Sequence, residues 1–228
     1  MIRSPDRLDL DNFQELLDRL GGIPARRVLF DPPPGMARIR DVIRHVDGDH
    51  KRLVELVDGT LVEKAMSAEA SFLAILIARW LGNFVEQIGD TGMILGADGT
   101  LRMMPGLVRI PDVSYTSWDK VPDRKVPSAP VPHLVPDLAI EVYSPGNRRG
   151  EMQRKLGEYL GAGIAEVWMV YPKSRSIRVY RPGAESVRYA VGETLVGTVL
   201  PGFRVELAKL FAKLEDAPVD AAKKRKKK

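Results

Sequence analysis

The chain has 228 residues, 44% hydrophobic and 29% charged, a composition that suits one good-sized soluble domain with extensions or at most two small ones. With no cysteine it can hold neither a disulfide nor a thiolate metal site, as befits a reducing cytosol. Six basic residues at 223–228 contribute +6 to a net charge of +5, so the rest of the chain sums to −1 and is nearly neutral. Residues 216–228 are expected to form a disordered basic tail that either binds phosphates non-specifically or only aids solubility. The first residues lack the apolar core of a signal peptide. The longest apolar run, residues 72–85, is short for a bilayer and is broken by Arg79. A cytoplasmic protein with no membrane partner is expected.

In chain order, Leu8, Leu10, Phe13, Leu16, Leu17 and Leu20 recur at helical spacing, and Gly21-Gly22 ends the pattern. A stiff Asp31-Pro32-Pro33-Pro34-Gly35 loop precedes a short helix from Ala37 to about His45, so residues 1–49 read as a helical extension. Residues 53–57 and 60–64 flank Asp58-Gly59 and predict a β-hairpin. Helical spacing over residues 67–87 predicts a long core helix. Strands are predicted at 92–95, 100–103, 108–115 and 137–143, then a helix over 151–160 stopped by Gly161 and Gly163. A hairpin of 166–171 and 176–181, a strand near 203–205 and a short helix over 208–214 follow. The order predicts an α/β (α+β) domain over residues 50–215, a mixed central sheet flanked by helices.

Residues 136–145 place Glu141 inside an apolar run, where a carboxylate is costly unless a polar or cationic group meets it. Strand alternation sends Leu138, Ile140 and Val142 to one face and Asp137, Ala139, Glu141 and Tyr143 to the other. Asp112 lies in the preceding candidate strand and can converge with Glu141. Such a pair suits Mg2+, which takes one or two protein carboxylates and leaves the remaining positions to water and phosphate. Lys155 could stabilise charge developing on a phosphate, or could simply pair with Glu151 one helical turn earlier.

Glu55-Leu56-Val57-Asp58-Gly59, Ile110-Pro111-Asp112-Val113, the 136–145 segment, Lys155 with Tyr159, Ala162-Gly163 and Val167-Trp168-Met169-Val170 occur in a fixed order. That ordered set resembles the Uma-two family of restriction-endonuclease-like proteins, a branch of the PD-(D/E)XK nuclease superfamily. The similarity runs from about residue 50 to 212, and residues 20–35 and the Trp118 region resemble a long-form subgroup. The resemblance implies a restriction-endonuclease-like core and metal-assisted hydrolysis of DNA phosphodiester bonds. It implies Asp112 and Glu141 as metal-binding acids, with Mg2+ or Mn2+ as cofactor. The superfamily lysine falls two residues after the second acid, where this chain has Tyr143, so Lys155 on the next helix matches a relocated lysine. Glu55 matches the acid of the hairpin motif, as an accessory ligand or as a brace for the turn. Ala70 stands where family members often carry histidine or glutamate, and alanine can neither bind metal nor hold a proton.

His45-Val46-Asp47-Gly48-Asp49-His50 has metal-friendly residue types, but neither zinc-protease nor calcium-loop spacing. Trp80 and Trp168 read as core, while Trp118, Arg148 and Arg149 are candidates for substrate contact. The leading expectation is a magnesium-dependent endodeoxyribonuclease with catalytic residues Asp112, Glu141, Lys155 and Glu55, DNA as partner and a homodimer for cutting both strands. The alternative is a catalytically inactive nucleic-acid-binding or interaction protein on a nuclease-like scaffold.

Overall fold

The computed structural model describes residues 12–48 and 51–214, so Leu8, Leu10, Asp49, His50 and the basic tail lie outside the described residues. Helix α1 (Phe13–Arg19) begins where the Asn12 side chain accepts a hydrogen bond from Glu15 N at 3.0 Å. It ends at Gly21 and Gly22, both with positive φ. After a 3-10 turn at Ala25–Arg27 the chain runs beside the first hairpin, Val28 bridging Val62 and Leu29 N donating to Leu61 O at 3.0 Å. Helix α2 (Ile39–Asp47) follows, and strands β1 (Val54–Val57) and β2 (Thr60–Glu63) form the predicted hairpin. Asp58 and Gly59 both take positive φ, which matches the strand twist as a two-residue turn requires. Gly59 has a second reason to be glycine, because a Cβ there would stand 2.6 Å from the Gly35 carbonyl oxygen. The N-terminal extension is therefore packed into the body: Val42 of α2 shares a core with Val54, Leu56, Leu61 and Val108.

Ser67 caps α3 (Ala68–Gln87), accepting from Ala70 N at 3.2 Å. Its length and apolar composition would allow it to cross a membrane, yet Leu73, Ile77 and Leu81 are fully buried against the sheet. Strands β3 (Gly92–Leu95), β4 (Leu101–Met104), β5 (Leu107–Arg109), β6 (Val113–Ser117) and β7 (Leu138–Val142) lead to α4 (Arg149–Gly161). Then come β8 (Glu166–Tyr171), β9 (Ser176–Tyr180), β10 (Val187–Ala190), β11 (Thr194–Val196), β12 (Arg204–Glu206) and α5 (Leu207–Phe211).

The order β2-β1-β5-β4 makes a four-stranded sheet and β10-β9-β8-β7-β6-β3 a six-stranded one, with β11 and β12 paired apart. The sequence reading of one strand over 108–115 is corrected here: it is two strands, β5 and β6, in different sheets. Pro111 is the physical reason. It has no N–H to donate to a ladder, so the first pairing stops and Asp112 N starts the second by donating to Ile140 O at 3.0 Å. Among the described strands only β7 and β8 pair in parallel, linked through α4 as a crossover helix.

The alternation along β7 is as expected. Leu138, Ile140 and Val142 join α3 and α5 in one core, with Trp168 and Phe203. Ala139 lies in the second core with Met152 and Tyr159 of α4 and Met169 of β8. Glu141 projects from this second face, beneath α4.

Candidate active site

The β6–β7 register pairs Val113 with Ile140, so one step further along the two chains Asp112 stands opposite Glu141. Two like charges facing each other across strands repel unless a cation intervenes. Asp112 is fixed by the Val142 amide, which donates to Oδ2 at 2.8 Å, while Oδ1 lies 2.9 Å from Lys64 Nζ. Lys64 also donates to the Ala97 carbonyl at 3.0 Å. Glu141 Oε1 accepts from Lys155 Nζ at 3.1 Å and, at short range, from the Tyr159 hydroxyl. Among the described residues no hydrogen bond or ion pair reaches Glu141 Oε2.

Lys155 is held from both sides, its Nζ 2.9 Å from Glu55 Oε1 as well as 3.1 Å from Glu141. Glu55, 0% exposed on β1, has both oxygens engaged: Oε1 also accepts from Ile110 N at 3.2 Å and Oε2 from Arg109 Nη1 at 2.7 Å. The Arg109 guanidinium continues to Glu158 of α4 through Nε at 2.8 Å. The pairing of Lys155 with Glu151 that helix spacing allows is not made. Glu151 instead receives the Arg27 fork, Nη1 at 2.9 Å and Nη2 at 2.7 Å, from the N-terminal extension. That removes the local competitor and leaves Lys155 to the two strand acids.

Burial pushes the Glu55 carboxyl up, but Lys155 and then Arg109 outweigh it and hold its pKa at about 2. For Glu141 burial prevails; Lys155 opposes it, the Asp112 charge adds to it, and its pKa is raised. Burial works against charge on Lys155, yet Glu141 and Glu55 hold the ammonium protonated. Tyr159 is pushed well above its ordinary value by burial and then by Glu141, so it stays a neutral donor.

The site therefore presents two facing carboxylates with lone pairs to spare, one of them strained by burial in its ionised form. Hard oxygen donors in this arrangement fit Mg2+ or Mn2+ better than a softer metal. Among the described residues no group of three or more His, Cys, Asp or Glu is gathered as a metal cluster. Glu55, fully buried and already accepting from Arg109, Ile110 and Lys155, orients the lysine. Two side-chain ligands with water and phosphate completing the shell are within what Mg2+ accepts.

Sequence reasoning passed over Lys64 and Arg109. Arg109 carried a usable signal, a charge between Val108 and Ile110 in a strand, the same anomaly that marked Glu141. Lys64 carried none, since a lysine at the end of a hairpin strand reads as an ordinary surface charge. Ala70 is buried in the α3 core against the face of the six-stranded sheet opposite Glu141. Trp118 opens a 3-10 turn and is half-buried against the second core. Arg148 and Arg149 stand exposed at the start of α4.

A family model described as "Uma2: Putative restriction endonuclease" matches residues 45–208. The chain belongs to the Uma2 family. Among solved structures, this Uma2 protein is similar to a "putative nuclease belonging to DUF820" from Anabaena variabilis ATCC 29413. The identity is 18% and the TM-score 0.64, over 71% of this chain and 91% of the other. At that identity the likeness establishes a shared restriction-endonuclease-like fold. No curated protein matches the chain.

Proposed function

We propose that this Uma2 protein is a divalent-metal-dependent endonuclease that hydrolyses DNA phosphodiester bonds in the cytoplasm. The observation that carries the proposal is Asp112 facing Glu141 across β6 and β7, with Lys155 bound to Glu141. Asp112 and Glu141 would hold Mg2+ or Mn2+, which when bound polarises a phosphoryl oxygen and acidifies a water. Lys155 keeps its proton between two acids, so it can orient the attacking water and offset the charge growing on the phosphate. Glu55 and Arg109 position Lys155 from the neighbouring sheet. Tyr159 donates to Glu141 and fixes which of its oxygens stays open. Cutting both strands of a duplex favours a homodimer.

Lys64 favours a second reading, a nucleic-acid-binding protein on a nuclease-like scaffold. Its ammonium already neutralises Asp112 at 2.9 Å and is a built-in substitute for a metal charge. In the enzyme reading Lys64 competes with the metal, so Lys64→Met is expected to tighten Mg2+ binding by roughly tenfold, a modest part of the Coulomb energy at this range. Calorimetric titration measures it, and unchanged affinity would show that the lysine and the metal do not share Asp112. The decisive test of the enzyme reading is incubation of supercoiled plasmid and linear duplex with Mg2+ or Mn2+. Cleavage that vanishes with chelator supports it. Intact DNA in every form, beside a control nuclease that cuts, leaves the scaffold reading.

A further inference from the structure

A cavity of about 520 Å³ opens on the far side of α4 from the N-terminal extension, between α4 and strands β7 to β10. Its size suits a small ligand. Three tyrosines and three arginines set its character: Tyr143, Tyr171, Tyr180, Arg149, Arg178 and Arg188. The Tyr143 and Tyr171 rings stack with centroids 4.5 Å apart and planes 24° from parallel, and Tyr180 lies beside Tyr171. All three tyrosines are half-buried, so their rings form part of the wall and keep exposed surface. Among the described residues, no aspartate or glutamate lines the cavity. Among the described residues, none of the three arginines is ion-paired to a carboxylate; Arg149 and Arg188 are exposed and Arg178 is half-buried, so all three present their charge at the rim. Arg178 reaches Ser186 Oγ through Nη1 at 3.4 Å and also meets the Tyr180 side chain of the wall.

Guanidinium groups without a carboxylate partner around half-buried aromatic rings recognise a ligand that is anionic and has a flat π-face. A nucleotide has both. The base of a paired duplex is already stacked and cannot reach such a wall, whereas an unpaired base can. The cavity also has the right neighbour. Tyr143 lies two residues beyond Glu141 on the same strand face, about 7 Å along β7, and Met152 and Leu156 in the cavity wall flank Lys155 on α4.

We infer that this groove binds a nucleotide of an unpaired nucleic-acid strand, its base on the tyrosine wall and its phosphate on the arginines. Such a site extends the nuclease reading by implying that a single strand or a frayed end is held next to the cleavage centre. The binding itself does not depend on catalysis.

The test is fluorescence anisotropy of the full chain with a labelled oligothymidylate, its RNA counterpart and a labelled duplex, in chelator so that nothing is cut. Tyr171→Leu is expected to weaken single-strand binding about tenfold, and duplex binding little. Arg178→Ala/Arg188→Ala, changes at the rim that leave the core intact, should lower the slope of log affinity on log salt by about one for each phosphate no longer neutralised. A preference between the DNA and RNA strands identifies the natural source of the nucleotide and supports the site either way. Equal single-strand affinity and salt slope in wild type and the double arginine variant overturns the inference. A parallel Mg2+ cleavage assay separates the two claims. Groove-dependent binding without cleavage keeps the site and removes the nuclease, whereas cleavage with groove-independent binding does the reverse.

Discussion

Glu55→Ala is expected to cost about 3–5 kcal/mol of folding stability, because it removes one of the two acid partners of each of two buried cations at once. Arg109 Nη1 and Lys155 Nζ lie 2.7 Å and 2.9 Å from its oxygens, and all three side chains are buried. The same carboxyl shapes the acid limb of stability. With Lys155 and Arg109 overcoming burial, its pKa is about 2 in the folded chain against an ordinary 4.5. Its contribution is therefore complete above pH 4.5 and disappears as the pH falls towards 2. That difference is worth about 3 kcal/mol. Urea unfolding of wild type and Glu55→Gln between about pH 2.5 and 7 measures it. Parallel stability curves for the two proteins through that window would show that Glu55 is not the anchor described.

Glu141→Gln is expected to lower metal-dependent cleavage by roughly a thousandfold, in the range that loss of preorganised charge stabilisation costs an active site. The fold should survive. Glutamine keeps an oxygen for Tyr159 and Lys155, and Lys155 retains Glu55. Burial and then the facing Asp112 charge raise the Glu141 pKa against the pull of Lys155. Its ionisation therefore costs the folded state stability as pH rises through that raised value, a cost the glutamine does not carry. The variant should thus melt at or above the wild-type temperature near pH 8 while failing to cut. A variant that cleaves at the wild-type rate removes Glu141 from the reaction. One that unfolds makes it a structural acid.

Much of the arrangement was legible in the sequence, for identifiable reasons. Glu141 and the alternation of β7 could be read because a charge in an apolar run and a period of two are both local signals. The Asp58-Gly59 hairpin was legible for the same reason, since its turn residues demand positive φ. Residues 108–115 misled because Val108, Ile110, Val113 and Tyr115 look like one strand. The proline that divides it at 111 was the available warning. Strands β10 and β11 escaped because β10 is largely exposed and β11 buries only Leu195, which leaves almost no periodic pattern. The partners of Lys155 could not be read locally either. The helix rule offers Glu151, but Arg27, 124 residues away in sequence, takes that acid. Lys64 belongs to the same class. Only the fold brings the end of the first hairpin to Asp112.

Titration of Mg2+ and Mn2+ by calorimetry, on wild type and on Asp112→Ala/Glu141→Ala, tests the central claim most directly. The account predicts saturable binding in wild type and its loss in the double variant. Equal binding in both proteins, or none in wild type even with an uncleavable duplex present, would contradict a metal centre at these two acids.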